Sequence, residues 1–376
     1  MTPSIAILIV SWNTRELLDR CLATVRASLE GSGIAWQAVV VDNASSDGTP
    51  AMLRERHPDA LLIESGRNLG FAGGNNLGLR RILEARGLRL EARDVRLEAR
   101  GLRLEAGDVQ PTDGNKALSE STALKNETTS LKPQVPSLIL LLNPDTEVIG
   151  DAIPRLVAYL EAHPEAAAVG PLLRYPDGSA QPSRRRFPER ATFFWESTPL
   201  EQRWPGNPWA QRYRMADVPD DVAHGVDWLV GAALLVRSEV IAEAGLLDAG
   251  FAMYSEELEW QRRLSGASLP DQRPAPPGAP RRPIVFLPDA LIIHHEGQSS
   301  GQVPAWRLVQ FQRSRLRDAR ITYGPRFATA LRLFLLVAYA AELAVEAAKW
   351  LLGHKRPLRA ARAQTYAALL RALAGR

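Results

Sequence analysis

The chain has 376 residues, 45% hydrophobic and 23% charged, a balance that fits a folded core and excludes wholesale disorder. Lys and Arg number 46 against 42 Asp and Glu, a formal charge of +4. A single cysteine, Cys21, excludes a disulfide framework or a cysteine-built zinc site and suggests a reducing, cytoplasmic setting.

The N-terminus has no basic start and no small-residue cleavage site, so Ile5–Val10 predicts a buried first strand rather than a signal peptide. Leu17, Leu18, Cys21, Leu22 and Val25 recur at helical spacing within Arg15–Leu29. Ala38–Val41 predicts a second strand, running into the turn-rich stretch Asp42-Asn43-Ala44-Ser45-Ser46-Asp47-Gly48-Thr49. Pro50–Arg56 reads as a helix with proline at its start, and Ala60–Ile63 as a third strand. Ser137–Leu142 is a wholly apolar fourth strand that ends at Asn143-Pro144-Asp145-Thr146. Strands alternating with helices, apolar on both faces, predict an α/β fold with a mostly parallel sheet. Ligands of such sheets sit at the carboxyl ends of the strands, where Asp42 and Asp145 both fall.

Between Leu79 and Ser137 the pattern breaks. Residues 83–95 recur as 97–109, with Gly107 in place of Arg93, and a polar tract follows over 110–136. Two copies at a fourteen-residue offset are too few and too short for a solenoid, so residues 80–136 predict a looped-out insertion. Residues 183–221, rich in Arg, Trp and Pro, and the Pro-rich 268–283 predict irregular surface tracts.

Five clusters could carry chemistry. Asp42 and Asp47 suit a nucleobase N–H or a ribose hydroxyl; equally, Asp and Asn make side-chain-stabilised turns. Gly66 to Gly78 lacks both the dinucleotide and the P-loop fingerprints, yet Arg67 and the amides of Asn68 and Asn76 suit phosphate or ribose contact. Its glycines permit close backbone approach to a ligand, with a plain loop and helix cap as the alternative. Asp145 could hold Mg²⁺ or Mn²⁺ if a diphosphate supplied further oxygens, or could merely cap a helix. Glu256, Glu257 and Glu259 crowd one another, which raises a carboxyl pKa and suits a general base, or form an acidic first helical turn. His294 and His295 follow a strand at Ala290–Ile293 and could add a metal ligand.

The ordered set VSWN, VVVDNASSDGT, NLGFAGGNN, LLLNPDTEV, VDWLVGAALLVRSEV, MYSEELEWQRRL and HHEGQSS resembles the inverting glycosyltransferases of family 2, and especially their bacterial rhamnosyltransferase-like branch. The resemblance covers Pro3 to Ser300 apart from the insertion. It implies a GT-A fold over residues 1–319. It implies that Asp42, with Asn43, Asp47, Arg67, Asn68 and Asn76, binds the nucleotide-sugar donor, and that Asp145 and His294 hold a divalent Mg²⁺ or Mn²⁺ on the diphosphate. It also implies that Glu257 or its neighbour Glu256 deprotonates the acceptor hydroxyl, above a loop at Gly231 and Ala232. The implied donor is a dTDP-, UDP- or GDP-linked sugar, with dTDP-rhamnose first. The implied acceptor is a lipid-linked or polysaccharide hydroxyl in bacterial cell-envelope synthesis. The family's Glu-Asp pair is Glu-Glu here, so the base reaches one methylene further. Two competing readings are a sugar nucleotidyltransferase, whose Gly-rich basic loop Val10-Ser11-Trp12-Asn13 does not supply, and a non-enzymatic membrane-docked scaffold.

Residues 320–376 form a distinct tail, with ten Lys or Arg and two Glu, a charge of +8 that leaves the rest of the chain at −4. Phe327–Leu352 is apolar, but its longest charge-free run, Leu333–Ala341, is nine residues, short of a span. Arg332, Glu342, Glu346 and Lys349 share one arc of the helix, the pattern of an interfacial or bundle-packing element. A second amphipathic stretch, Leu358–Leu373, carries Arg359, Arg362 and Arg371. The expectation is a peripheral enzyme on the inner face of the plasma membrane, drawn to anionic lipid by this tail. A hairpin packed on the catalytic domain or on a second copy, as a homodimer, is the alternative. No aromatic–basic platform points to nucleic acid.

Overall fold

The computed structural model describes residues 4–88, 136–269, 281–297 and 304–375. In chain order the first half comprises β1 (Ser4–Ser11), α1 (Arg15–Leu29), β2 (Ala35–Asp42), α2 (Thr49–Arg56), β3 (Leu61–Glu64), α3 (Gly70–Ala85), β4 (Leu138–Leu142), β5 (Thr146–Ile149), α4 (Ala152–Ala162) and β6 (Ala168–Arg174). A region of short elements follows: β7 (Arg184–Arg185), α5 (Thr192–Trp195), α6 (Pro199–Arg203), α7 (Pro208–Tyr213), β8 (His224–Val226) and β9 (Trp228–Leu229). Then come β10 (Ala233–Arg237), α8 (Ser238–Ala244), α9 (Glu256–Leu264), β11 (Ile284–His294), α10 (Pro304–Leu351) and α11 (Arg356–Ala374). The second copy of the internal repeat and nearly all of the polar tract at 110–136 lie outside the described residues, as do residues 270–280 of the Pro-rich tract. Helix α3 continues through residue 85, beyond the point where the sequence pattern breaks.

The main sheet runs in the order β3-β2-β1-β4-β10-β6-β11-β5, with β8 beside β11. Strands β3, β2, β1 and β4 form the parallel half. Strand β10 enters antiparallel to both β4 and β6, and β11 pairs parallel with β6 but antiparallel with β5 and β8. Helices cover both faces. Leu18, Cys21, Leu22 and Val25 of α1 pack on one side with α4, and Leu79, Ile82 and Leu83 of α3 pack on the other. Each fully buried Leu or Ile contributes about 1.5–3 kcal/mol. Burial also pushes the Cys21 thiol up to about 12, so it stays protonated.

The glycine-rich segment turns out to be mostly helix, and Gly74 and Gly78 within it serve packing rather than a ligand. A Cβ at Gly78 would stand 2.2 Å from Leu8 Cδ1, and one at Gly74 would stand 2.6 Å from Val10 Cγ1. These residues let α3 lie directly on β1.

Helix α10 bends at Gly324 (φ 83°), ahead of Pro325. Its first part is pinned to the rest of the protein through buried polar contacts, including Arg262 with Asp318 at 3.6 Å and Arg315 Nη2 with the Phe193 carbonyl at 2.8 Å. Its second part forms a hairpin with α11 around Leu331, Leu335, Tyr339, Leu369 and Leu373, with Phe193 completing the cluster. A buried pair, Glu346 with Arg359 at 2.9 Å, crosses the hairpin. Counting charge-free runs argued against a span, but an 18-residue window of α10 has a mean hydropathy of 1.7 with at most two charged residues. By length and composition the helix can therefore cross a membrane. Only 17% of that window is buried.

Candidate active site

Parallel strands end together, and that common edge builds the first wall. Ser11 is in register with Asp42, and Ile9 with Leu142. Asp42 is buried; its Oδ2 accepts from the Ser45 N–H at 3.1 Å, whereas its Oδ1 has no partner. Asn43 braces the following loop, with Nδ2 donating to Asn68 Oδ1 and the Gly70 carbonyl at 3.1 Å each, and Oδ1 accepting from the Leu69 N–H at 2.9 Å.

The second wall is the start of α9. Tyr254 and Ser255 both hold left-handed backbone (φ 69° and 67°), a strained pair that turns Glu256 and Glu257 inward. Burial and then repulsion from Glu257 push the Glu256 carboxyl well above the usual range. Burial also raises Glu257, offset in part by its own N–H and that of Gly231. Each keeps one buried carboxylate oxygen without a partner. Glu259, by contrast, is occupied by Arg263, with its two oxygens 2.8 and 2.7 Å from the guanidinium.

The third wall comes from the ends of β4 and β11. His294 Nε2 lies 3.3 Å from Asp145 Oδ1, both side chains buried. Its Nδ1 lies 3.0 Å from Gln181 Oε1. His295 is engaged elsewhere, 2.8 Å from Glu147 Oε1.

One cavity of about 250 Å³ gathers Asn43, Asn68, Asp145, Gly231, Ala232, Glu256, Glu257 and His294. Asp42 sits directly before Asn43 at the strand end. Besides Asp42, three expected donor contacts are not among the lining residues. The Asn76 amide is buried and spent on the Leu247 backbone, donating to its carbonyl at 2.8 Å and accepting from its N–H at 3.0 Å. Burial works to raise the Asp47 carboxyl, but hydrogen bonds from the Thr49 hydroxyl and the Arg15 and Thr49 N–H groups outweigh it and hold the group low, as a turn brace. The Arg67 side chain is exposed. Conversely, the cavity includes Gln181, Tyr254, Glu296, Trp306 and Arg307. Glu296 stood in the HHEG motif; Gln181 and the first turn of α10 carry no local signal.

Residues 6–84 match the family model for glycosyl transferase family 2. The chain is 27% identical over 314 residues to an N-acetylglucosaminyl-diphospho-decaprenol L-rhamnosyltransferase of Mycobacterium tuberculosis, covering 84% of this chain and 83% of that relative. It is 36% identical over 86 residues to the low-salt glycan biosynthesis hexosyltransferase Agl10 of Haloferax volcanii, covering 22% and 24%. Among solved structures, a mannosyltransferase of Pyrobaculum calidifontis in complex with GDP-mannose and Mn²⁺ aligns at 15% identity and a TM-score of 0.45, over 100% of this chain and 87% of that one.

Proposed function

We propose that this glycosyltransferase moves a sugar, with inversion, from a nucleoside diphosphate to a hydroxyl of a lipid-linked acceptor. The observation that carries this reading is the meeting in one cavity of the Asp145–His294 pair and the Glu256–Glu257 pair. Carboxylate and imidazole suit Mg²⁺ or Mn²⁺. Among the described residues no three His, Cys, Asp or Glu side chains gather as a complete cage. The donor set therefore fits an ion whose remaining positions are filled by a diphosphate and water. When bound, such an ion offsets the charge developing on the departing nucleoside diphosphate.

The chain's own residues supply the rest. Asp42 Oδ1, buried and unpaired, is placed to accept from the nucleobase, and Asn43 keeps the 65–70 loop against the donor. Glu257, partly open to the cavity, takes the proton of the acceptor hydroxyl, and its raised pKa suits a base working near neutrality. Burial keeps that pKa high, and Glu257 in turn helps push the carboxyl of the fully buried Glu256 up. Attack from the side opposite the leaving diphosphate inverts the anomeric centre.

Similarity to the mycobacterial relative supports L-rhamnose, carried on dTDP, as donor and a polyprenyl-diphosphate sugar as acceptor. Exposure on the hairpin supports peripheral attachment to anionic lipid: Val337 is 72% and Leu351 is 70% exposed on α10, and basic residues lie at both ends. Phe194 against Phe334, with ring centroids 5.1 Å apart, and Arg203 paired with Glu342 fasten this helix alongside α5 and α6. That favours lying on a membrane over crossing it. Thermal shift against a panel of nucleotide sugars with Mn²⁺, followed by product analysis, tests the donor. Strongest stabilisation and β-linked transfer from dTDP-β-L-rhamnose would contradict inversion, whereas an α-linked product supports it.

A further inference from the structure

A chain of hydrogen bonds behind His294 has a direction that can be read from donor and acceptor chemistry alone. Glu296 Oε1 lies 3.5 Å from the Arg307 guanidinium, and Oε2 accepts from the Tyr175 hydroxyl and from Gln181 Nε2, both at 3.0 Å. A carboxylate can only accept, so the amide of Gln181 must turn its NH₂ toward Glu296. Its carbonyl oxygen, which can only accept, then faces His294 Nδ1 at 3.0 Å. Nδ1 must therefore carry a hydrogen, which makes Nε2 the nitrogen able to offer a lone pair. That lone pair faces Asp145 Oδ1 at 3.3 Å, while the Asn143 amide nitrogen also stands 3.3 Å away, as a donor. That lone pair and the carboxylate oxygen form two adjacent ligand atoms for a cation, in place of a proton held between them.

We propose that Gln181, itself aimed by Glu296, is a positioning residue: it locks His294 in the tautomer and ring orientation that presents Nε2 beside Asp145 and so presets the cation site. This rests on the metal-dependent reading above. Metal-ligating histidines are commonly held through their second nitrogen, and loss of such a partner costs about 10–100-fold in metal affinity. Glu296 adopts φ 33°, so its backbone is bent to bring the carboxylate to Gln181.

The test is Mn²⁺ affinity of the full chain, measured by electron paramagnetic resonance titration with and without dTDP. Gln181→Leu is expected to weaken Mn²⁺ binding by about 10–100-fold. Glu296→Gln frees the amide to turn over and is expected to weaken binding less. The double variant Gln181→Glu/Glu296→Gln exchanges carboxylate and amide, keeps an acceptor facing Nδ1, and is expected to recover most of the affinity. A role confined to folding would lower the melting temperature of every variant and give no such rescue. Unchanged affinity in Gln181→Leu, or a double variant no tighter than Glu296→Gln, overturns the proposal. If the wild type binds Mn²⁺ and His294→Ala weakens it while Gln181→Leu does not, only the positioning role falls. Failure of the wild type to bind Mn²⁺ at all removes the metal-dependent reading and the positioning role with it.

Discussion

The catalytic cavity and the C-terminal hairpin are incomplete in opposite senses. In and beside the cavity, polar atoms are buried without partners: Glu256 Oε2 and Glu257 Oε2 within it, and Asp42 Oδ1 next to it. In the hairpin the buried carboxylate of Glu346 is paired with Arg359, whose Nε alone is left over, while apolar side chains such as Val337 and Leu351 lack cover. An orphaned polar atom in a closed place and an uncovered apolar side chain in an open one each cost free energy when left alone. Each marks the chemistry of what is missing, a polar ligand in the first case and an apolar surface in the second.

Breaking the cavity side should give the largest effect. Glu257→Gln is expected to lower kcat by about 100- to 10,000-fold, the range for removing a general base, with a melting temperature no lower than wild type. Steady-state kinetics beside calorimetry would show it, and near-normal turnover would remove Glu257 from the reaction. On the hairpin side, the double variant Val337→Asp/Leu351→Asp is expected to weaken binding to vesicles containing anionic lipid by roughly 100-fold, given about 1.5–3 kcal/mol for each apolar side chain. Co-sedimentation reads this directly, and full pelleting of the variant would leave the exposed face without that role.

Asn76 sharpens the contrast, because it is a buried polar group in the catalytic half that is fully satisfied. Asn76→Ala strands a buried Leu247 N–H and carbonyl and should cost about 1–3 kcal/mol of stability. Its KM for the donor should stay near wild type; a large rise in KM would return Asn76 to the donor site.

The smallest expected effect is a pH-dependent one at Glu256. Folded Glu256 holds its proton above the usual 4.5, so between that value and its raised pKa the folded state binds more protons than the unfolded state. Wild-type stability therefore falls as pH rises through this window. Glu256→Gln lacks that loss, so it should melt higher than wild type at pH 8 and converge with it near pH 4. A gap that persists at low pH would mean that the carboxyl is not the cause.

How much of this was legible in sequence depends on range. The strands β1, β2 and β4 and the helix α1 announce themselves through short apolar runs and helical spacing, and the ends of β2 and β4 place Asp42 and Asp145 correctly because parallel strands share an edge. The antiparallel entry of β10 follows from its pairing with β4 and β6, which no local pattern encodes. Asn68 and Asn76 look alike in sequence, yet one lines the cavity and the other holds a backbone across 171 residues, a distinction only the fold makes. The first part of α10 escaped notice because buried arginines such as Arg315 sit on its inner face, where a periodicity argument expects apolar groups. Gln181 had no neighbouring motif to mark it.

The hydrogen bond from the Asn143 N–H to the Ala232 carbonyl, at 2.8 Å, continues the β4–β10 ladder past the last strand residue. It joins the segment that leads to Asp145 directly to the Gly231–Ala232 turn. The interval between the Asn143–Asp145 segment and the Gly231–Ala232 turn is thus set by main chain, which no substitution of side chains rewrites. The cavity's side chains can then be exchanged one at a time while the spacing of these two walls is inherited intact.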